Sequence, residues 1–109
     1  MNQRLNCYRL LVDVAKAMPG LIENWPKGYG YLSDQLKRAQ SSIALNIAEG
    51  NGRTSRLERK RFFTISMSSA SEVSSIIEIA NAYRLISESE SDYYQDALLQ
   101  IYKMLYKLN

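Results

Sequence analysis

Gly50-Asn51-Gly52 separates two stretches that both carry helical periodicity, and a chain punctuated in this way has few ways to fold. Upstream, Leu32, Leu36, Ala39, Ile43 and Ile47 recur at spacings of four and three, so on a helix they stack into one apolar stripe. Gln35, Arg38, Ser42, Asn46 and Glu49 form a polar stripe along its edge. The glycines flanking Asn51 predict that this helix stops near Glu49 through a left-handed residue. Ser55-Arg56-Leu57-Glu58 then has the form of a capping box, worth about 1 kcal/mol, that starts the next helix. The expected product is a tight antiparallel hairpin.

The rest of the chain supplies two more helices. The first is expected from Gln3 to Glu23, with Leu5, Tyr8, Val12 and Ala15 inward and Leu11, Val14, Leu21 and Ile22 widening the stripe. Pro19 removes a hydrogen bond there, so an end or a kink near Met18, followed by one more turn, is predicted. Asn24 to Gly30 is a connector, because its proline and glycines defeat both helix and strand periodicity. The third helix is expected from Ser55 to about Ile86. One face carries Phe62, Ser69, Val73, Ile76, Ile77 and Ala80, with Ile65, Glu72, Ile79 and Tyr83 on one flank and Phe63 and Ala70 on the other. So wide an apolar sector suggests a subunit interface, and the serines at 66, 68, 69, 71, 74 and 75 are small enough for neighbouring helices to come close. After the polar run Ser87 to Ser91, Tyr94, Leu98, Ile101, Leu105 and Leu108 mark a last helix whose end carries Lys103 and Lys107. The fold class is all-α, an up-and-down four-helix bundle expected to fill one domain over 1–109.

The run Ser42, Asn46-Ile47-Ala48-Glu49-Gly50, Gly52-Arg53 and Ser55 resembles the four-helix bundle protein family, also called the 23S ribosomal RNA intervening-sequence protein family. The likeness extends through Gln35-Leu36-Lys37-Arg38-Ala39 upstream and Phe62, Ser69 and Glu72 downstream, and Trp25-Pro26 matches the aromatic-proline pair usual before this helix. Where many members have a glutamate-bearing segment next, this chain reads Lys27-Gly28-Tyr29-Gly30. The resemblance implies an up-and-down bundle assembling into a ring-like homo-oligomer such as a pentamer. It implies little biochemistry, because the family's link to ribosomal RNA is one of genomic location.

Composition narrows the chemistry. A chain of 109 residues buries roughly 60–70% of its unfolded surface in a single core. The single cysteine, Cys7, excludes an internal disulfide and a cysteine-cluster metal site, which suits a reducing cytosol. No histidine is present, so the commonest general base and transition-metal ligand are missing. No apolar run approaches the ~20 residues of a membrane span, and the N-terminal run is too short and polar for a signal segment. The expectation is a soluble cytoplasmic protein, not an enzyme, with no cofactor, metal, membrane partner or small-molecule substrate. Residues 1–61 carry eleven Lys or Arg against five Asp or Glu, whereas residues 62–109 carry three against six. Such segregation draws a polyanion to one surface, or serves solubility alone.

Three groups of residues are candidates for function. Arg53, Arg56, Arg59, Lys60 and Arg61 crowd the first turns of a helix, where each opposes the dipole by ~0.3–1 kcal/mol before screening. With Lys37 across the hairpin they form a candidate surface for RNA or DNA of low sequence specificity. A solvated surface, or arginines paired with acids of a neighbouring subunit, is the alternative. Gln35, Arg38, Asn46, Glu49, Arg53 and Glu72 are expected to form a polar network, with Arg38 facing a partly dry Glu72. Its competitor is chemistry, with Glu49 and Glu72 as an acid–base pair or a divalent metal site. Trp25, Tyr29 and Tyr31 are read either as a lid on the core or as an aromatic ligand surface. A protein scaffold without a nucleic-acid role is the competing function.

Overall fold

The computed structural model describes residues 3–109, with side chains from Asn6 onward. Four helices follow one another: α1 (Gln3–Ile22), α2 (Gly30–Asn51), α3 (Arg56–Ala82) and α4 (Glu88–Leu108). The links between them are short, so successive helices run antiparallel. α1 packs on α2 and α4, and α3 packs on α2 and α4, which closes the up-and-down bundle into a body of 45 × 24 × 19 Å.

The α2–α3 hairpin forms as its pattern predicts, and all five residues of the α2 stripe are buried. Its turn is built differently. α2 continues through Gly50 and Asn51 and is capped by Gly52 at φ −83°, not by a left-handed residue. The Gly52 N–H donates to Ala48 O and Glu49 O, and the Arg53 N–H to Gly50 O, which satisfies the last carbonyls without a conformational exception. Gly50 serves close approach: a Cβ there would stand 2.6 and 2.9 Å from ring atoms of the fully buried Phe63. Farther along the seam, Ser66 Oγ donates to Ile43 O at 2.8 Å, and the hydroxyls of Ser42 and Ser69 lie 2.8 Å apart. These are the small residues that let α2 and α3 approach, with their hydroxyls satisfied where they are buried.

α1 is rotated from its expected phase. Its buried residues are Cys7, Leu11, Val14, Met18 and Leu21, whereas Tyr8 and Ala15 are exposed and Val12 is half-buried. The side chain of Leu5 lies outside the described residues. Both stripes have the same period, and only the positions of α2 and α4 choose between them. Pro19 does not end the helix, which runs one turn farther. Ala15 and Pro19 are both exposed, so water can take the carbonyl that proline leaves without a donor.

α3 stops at Ala82, short of the expected Ile86, and spans roughly 40 Å. Arg84 occupies the left-handed region at φ 60°. Its N–H donates to Asn81 O and that of Leu85 to Ala80 O, the double closure of a Schellman motif, and Leu85 packs on the core beyond it. Arginine in this conformation is strained by about 1 kcal/mol, so Arg84→Gly is expected to raise the urea midpoint by about that amount of stability. An unchanged or lower midpoint would contradict the strain. α4 begins with a complete capping box, Ser87 Oγ accepting from the Glu90 N–H and Glu90 Oε1 from the Ser87 N–H, so most of the polar run is already helical.

At this end of the bundle the α1–α2 connector turns through Gly28 at φ 107°, closed by the Tyr29 N–H on Pro26 O. Trp25 packs partly buried against the core, and Tyr29 meets Tyr83 with ring centroids 5.9 Å apart. Both act as a lid. Tyr31 is instead 55% exposed.

Candidate nucleic-acid interface

Ser55 caps α3, its Oγ accepting from the Glu58 N–H at 3.3 Å; the reciprocal half of the capping box is not made. The five cations around this start divide into two kinds. Arg53 pairs with Glu49 at 3.0 Å and lies 5.1 Å from the Phe62 ring centroid. Arg59 donates through Nη1 to Thr54 O at 2.7 Å and Arg53 O at 3.2 Å, binding the turn to the helix that follows. Those two are occupied in holding the hairpin. Arg56, Lys60 and Arg61 are exposed and form no ion pair among the described residues.

One further cation approaches them from the far end of the chain. Because α4 runs antiparallel to α3, its C-terminal end lies beside the third turn of α3. Asn109 Nδ2 records that register by donating to Thr64 Oγ1 at 3.3 Å and contacting Met67 Sδ at 3.5 Å. Lys107, exposed, therefore stands level with about Met67, roughly 10 Å along the bundle from Lys60, and Lys103 lies a further turn away. Counting charge along the chain assigned them to the acidic half. Lys37 goes the other way: it borders a groove with Ala15, Met18, Pro19 and Gln40 on the α1–α2 side. It stands thirteen residues before Gly50, roughly 20 Å along α2, and so is not part of the cluster.

Between α3 and α4 the basic pole opens into a groove of about 530 Å³ lined by Lys60, Thr64, Met67, Ser68, Tyr102 and Tyr106, among others. It continues into a second of about 460 Å³, with Ser71 and Tyr102 shared by both. At that far end Ser74 Oγ donates to Gln95 Oε1 at 2.6 Å, and Gln95 Nε2 to Ser74 O at 2.9 Å, tying the helices together. Tyr102 and Tyr106 are 38% and 71% exposed. The pair lies off the core stripe of α4, so the helical periodicity of the sequence gives it no role.

The expected polar network forms in part. Asn46 Nδ2 donates to Ser42 O and Ser42 Oγ, Ser42 meets Ser69, and Glu49 holds Arg53. Gln35, Arg38 and Glu72 are exposed and no hydrogen bond joins them among the described residues. The Glu72 flank is wet, so its carboxylate needs no buried partner. Nor are Glu49 and Glu72 brought together. The contacts of Gly50 with Phe62 and Phe63 set Glu49 level with Phe62, leaving Glu72 roughly 15 Å farther along α3. Arg38, Leu45, Ile65, Glu72 and Ile79 instead share the hairpin's outer face, on either side of the Ser42–Ser69 contact.

The sequence model of the 23S rRNA-intervening sequence proteins matches residues 3–107, nearly the whole chain. The chain belongs to the 23S rRNA-intervening sequence protein family. Among solved structures similar to this family member is a protein of unknown function from the S23 ribosomal protein family of Bacteroides thetaiotaomicron VPI-5482. The two share 18% identity, with a TM-score of 0.89 over 98% of this chain and 97% of that one, a likeness of fold. No curated protein matches this intervening-sequence protein significantly. Among its described residues no helix is long and apolar enough to cross a membrane.

Proposed function

We propose that this protein is a non-enzymatic, homo-oligomeric cytoplasmic bundle that binds nucleic acid, RNA or DNA, with low sequence specificity through its basic pole. The observation that carries this reading is the group of exposed cations Arg56, Lys60 and Arg61 at the start of α3, which form no ion pair among the described residues, with Lys107 of α4 toward the same end. Arg56 lies in the first turn of α3, where the helix dipole disfavours a cation. Phosphates would offset that repulsion. The hydroxyls of Ser66 and Ser69 are committed to the helix seam, and with no histidine in the chain neither has the usual activating base.

Assembly enters through the other exposed face. Leu45, Ile65 and Ile79 are 65%, 41% and 42% exposed on the outside of the α2–α3 hairpin, an apolar surface suited to a second copy. Assembly through it into a ring such as a pentamer leaves the α3–α4 side open, and repeats the basic pole so that weak contacts add through avidity. The same apolar face favours the second reading, a protein scaffold with no nucleic-acid role.

Binding measured across a salt series separates the two. Log K is expected to fall with log salt by about 0.9 per neutralised phosphate on duplex DNA, and Arg56→Ala/Lys60→Ala/Arg61→Ala is expected to flatten that slope by at least about 1. Absence of binding at low salt would overturn the nucleic-acid reading and leave the scaffold.

A further inference from the structure

Resting on the nucleic-acid reading above, we infer that the α3–α4 groove is a single-strand site in which unpaired bases stack on Tyr102 and Tyr106 while Arg56 and Lys60 hold the adjoining phosphates. Three features of the groove point to this occupant.

Its aromatic wall comes first. Tyr102 and Tyr106 are one turn apart on α4 and stay exposed, although tyrosines bordering a groove between packed helices are commonly drawn into the core. A base has a π face to offer such rings only when it is out of a duplex stack, which selects single strands, loops and ends.

The opposite wall is lined by hydroxyls. Thr64 Oγ1 donates to Lys60 O and receives the Asn109 amide, so it is committed to the protein. Ser68 and Ser71 are exposed in the groove with no hydrogen-bond partner among the described residues. Each offers a donor and an acceptor to a sugar hydroxyl or a base edge.

The third feature is where the charge lies. Lys60 is part of the groove wall, and Arg56, one turn earlier on the same face of α3, extends it to the mouth. Cations gathered at one end of an aromatic and hydroxyl-lined trough complement a polyanion that enters with its backbone at the mouth and its bases inward. The volume, about 530 Å³, falls within the ~300–1,000 Å³ of small-ligand pockets, room for a base with its sugar.

The test compares fluorescence anisotropy of a labelled oligouridylate and of a blunt RNA duplex on the full chain, on Tyr102→Leu/Tyr106→Leu and on Arg56→Ala/Lys60→Ala. Leucine keeps apolar bulk but removes the ring face. Urea midpoints confirm that each variant folds, and sedimentation reports its oligomeric state. The tyrosine variant is expected to lose on the order of tenfold in affinity for the oligouridylate and little for the duplex, and the Arg56/Lys60 variant to lose affinity for both. If both nucleic acids bind and the Arg56/Lys60 variant weakens both, but the tyrosine variant binds the oligouridylate like wild type, the groove inference fails and the basic-pole reading stands. If the tyrosine variant changes the oligomer's size without changing binding, the groove is a subunit contact and the inference fails. If neither nucleic acid binds the wild-type protein, the inference and the reading beneath it fall together.

Discussion

Gly50→Val is expected to destabilise the protein by about 3 kcal/mol, measured as a drop in urea midpoint. The Cβ alone would enter the ring of Phe63, 1% exposed, at 2.6 Å, and a ring packed on all sides cannot swing away as a surface chain would. Two methyl groups deepen the clash, and a β-branched residue gains little helix propensity over glycine to offset it. Gly50→Ala tests the same contact more gently. Its helix-propensity gain of about 1 kcal/mol opposes an overpacking cost of roughly 1–3 kcal/mol, so its net loss is smaller. Phe63→Leu, costly by itself, is expected to recover part of the Gly50→Val loss when the two are combined, because neighbours that share a clash are not additive. A Gly50→Val protein with a wild-type midpoint would mean that the hairpin does not close on this residue.

The second large effect is alkaline unfolding. Burial pushes the Cys7 thiol from its ordinary 9.0 up to about 11, and burial first, then the neighbouring Tyr93 and Glu90, pushes Tyr94 from 10.0 up to about 12. Both groups are neutral when protonated, and both are better kept neutral in the folded chain. The unfolded chain therefore releases these protons first as pH rises. The stability they contribute is fully present below pH 9, declines from there to about 11 as Cys7 titrates, and declines further between 10 and 12 with Tyr94. Each shift corresponds to roughly 2–3 kcal/mol, so together they amount to a substantial part of a marginal stability of ~5–15 kcal/mol. Urea midpoints taken at pH 8, 9, 10 and 11 are expected to fall steeply after 9. In Cys7→Ala the decline is expected to begin only near 10, where Tyr94 starts to titrate. A midpoint flat to pH 11 would show that neither group is sealed in the folded state.

Much of this architecture can be read from residue pattern, because α2 and α4 each have one stripe that is decisively more apolar than the rest. α1 is different. Leu5-Tyr8-Val12-Ala15 and Cys7-Leu11-Val14-Met18 compete at the same period, and the winner is set by helices that lie far away in sequence. The end of α3 was illegible for a local reason: the left-handed position is held by Arg84, not glycine, so the usual stop signal is missing. Gly50 carried a true signal with the wrong cause attached. It marks where two helices touch, a fact that appears only once Phe63 is opposite it. The candidate interface was half legible. Arg56, Lys60 and Arg61 stand out as cations at a helix start, but Lys107 and the two tyrosines come to that side only through antiparallel closure. Lys37 was assigned to its cluster by sequence pattern, and axial distance along 1.5 Å steps separates it; Glu72 is level with Arg38 but on a wet face, where no pair is required.

The measurement that bears most directly on the basic pole compares two variants of equal charge change. Arg56→Glu/Lys60→Glu reverses two cations at that pole, and Lys16→Glu/Lys27→Glu reverses two exposed cations toward the opposite end of the bundle. If the pole is the nucleic-acid surface, the first variant loses at least about tenfold in affinity for a labelled RNA at moderate salt, with a shallower salt dependence, while the second stays near wild type. Equal losses in both variants would mean that net charge alone draws the nucleic acid, and would contradict the site.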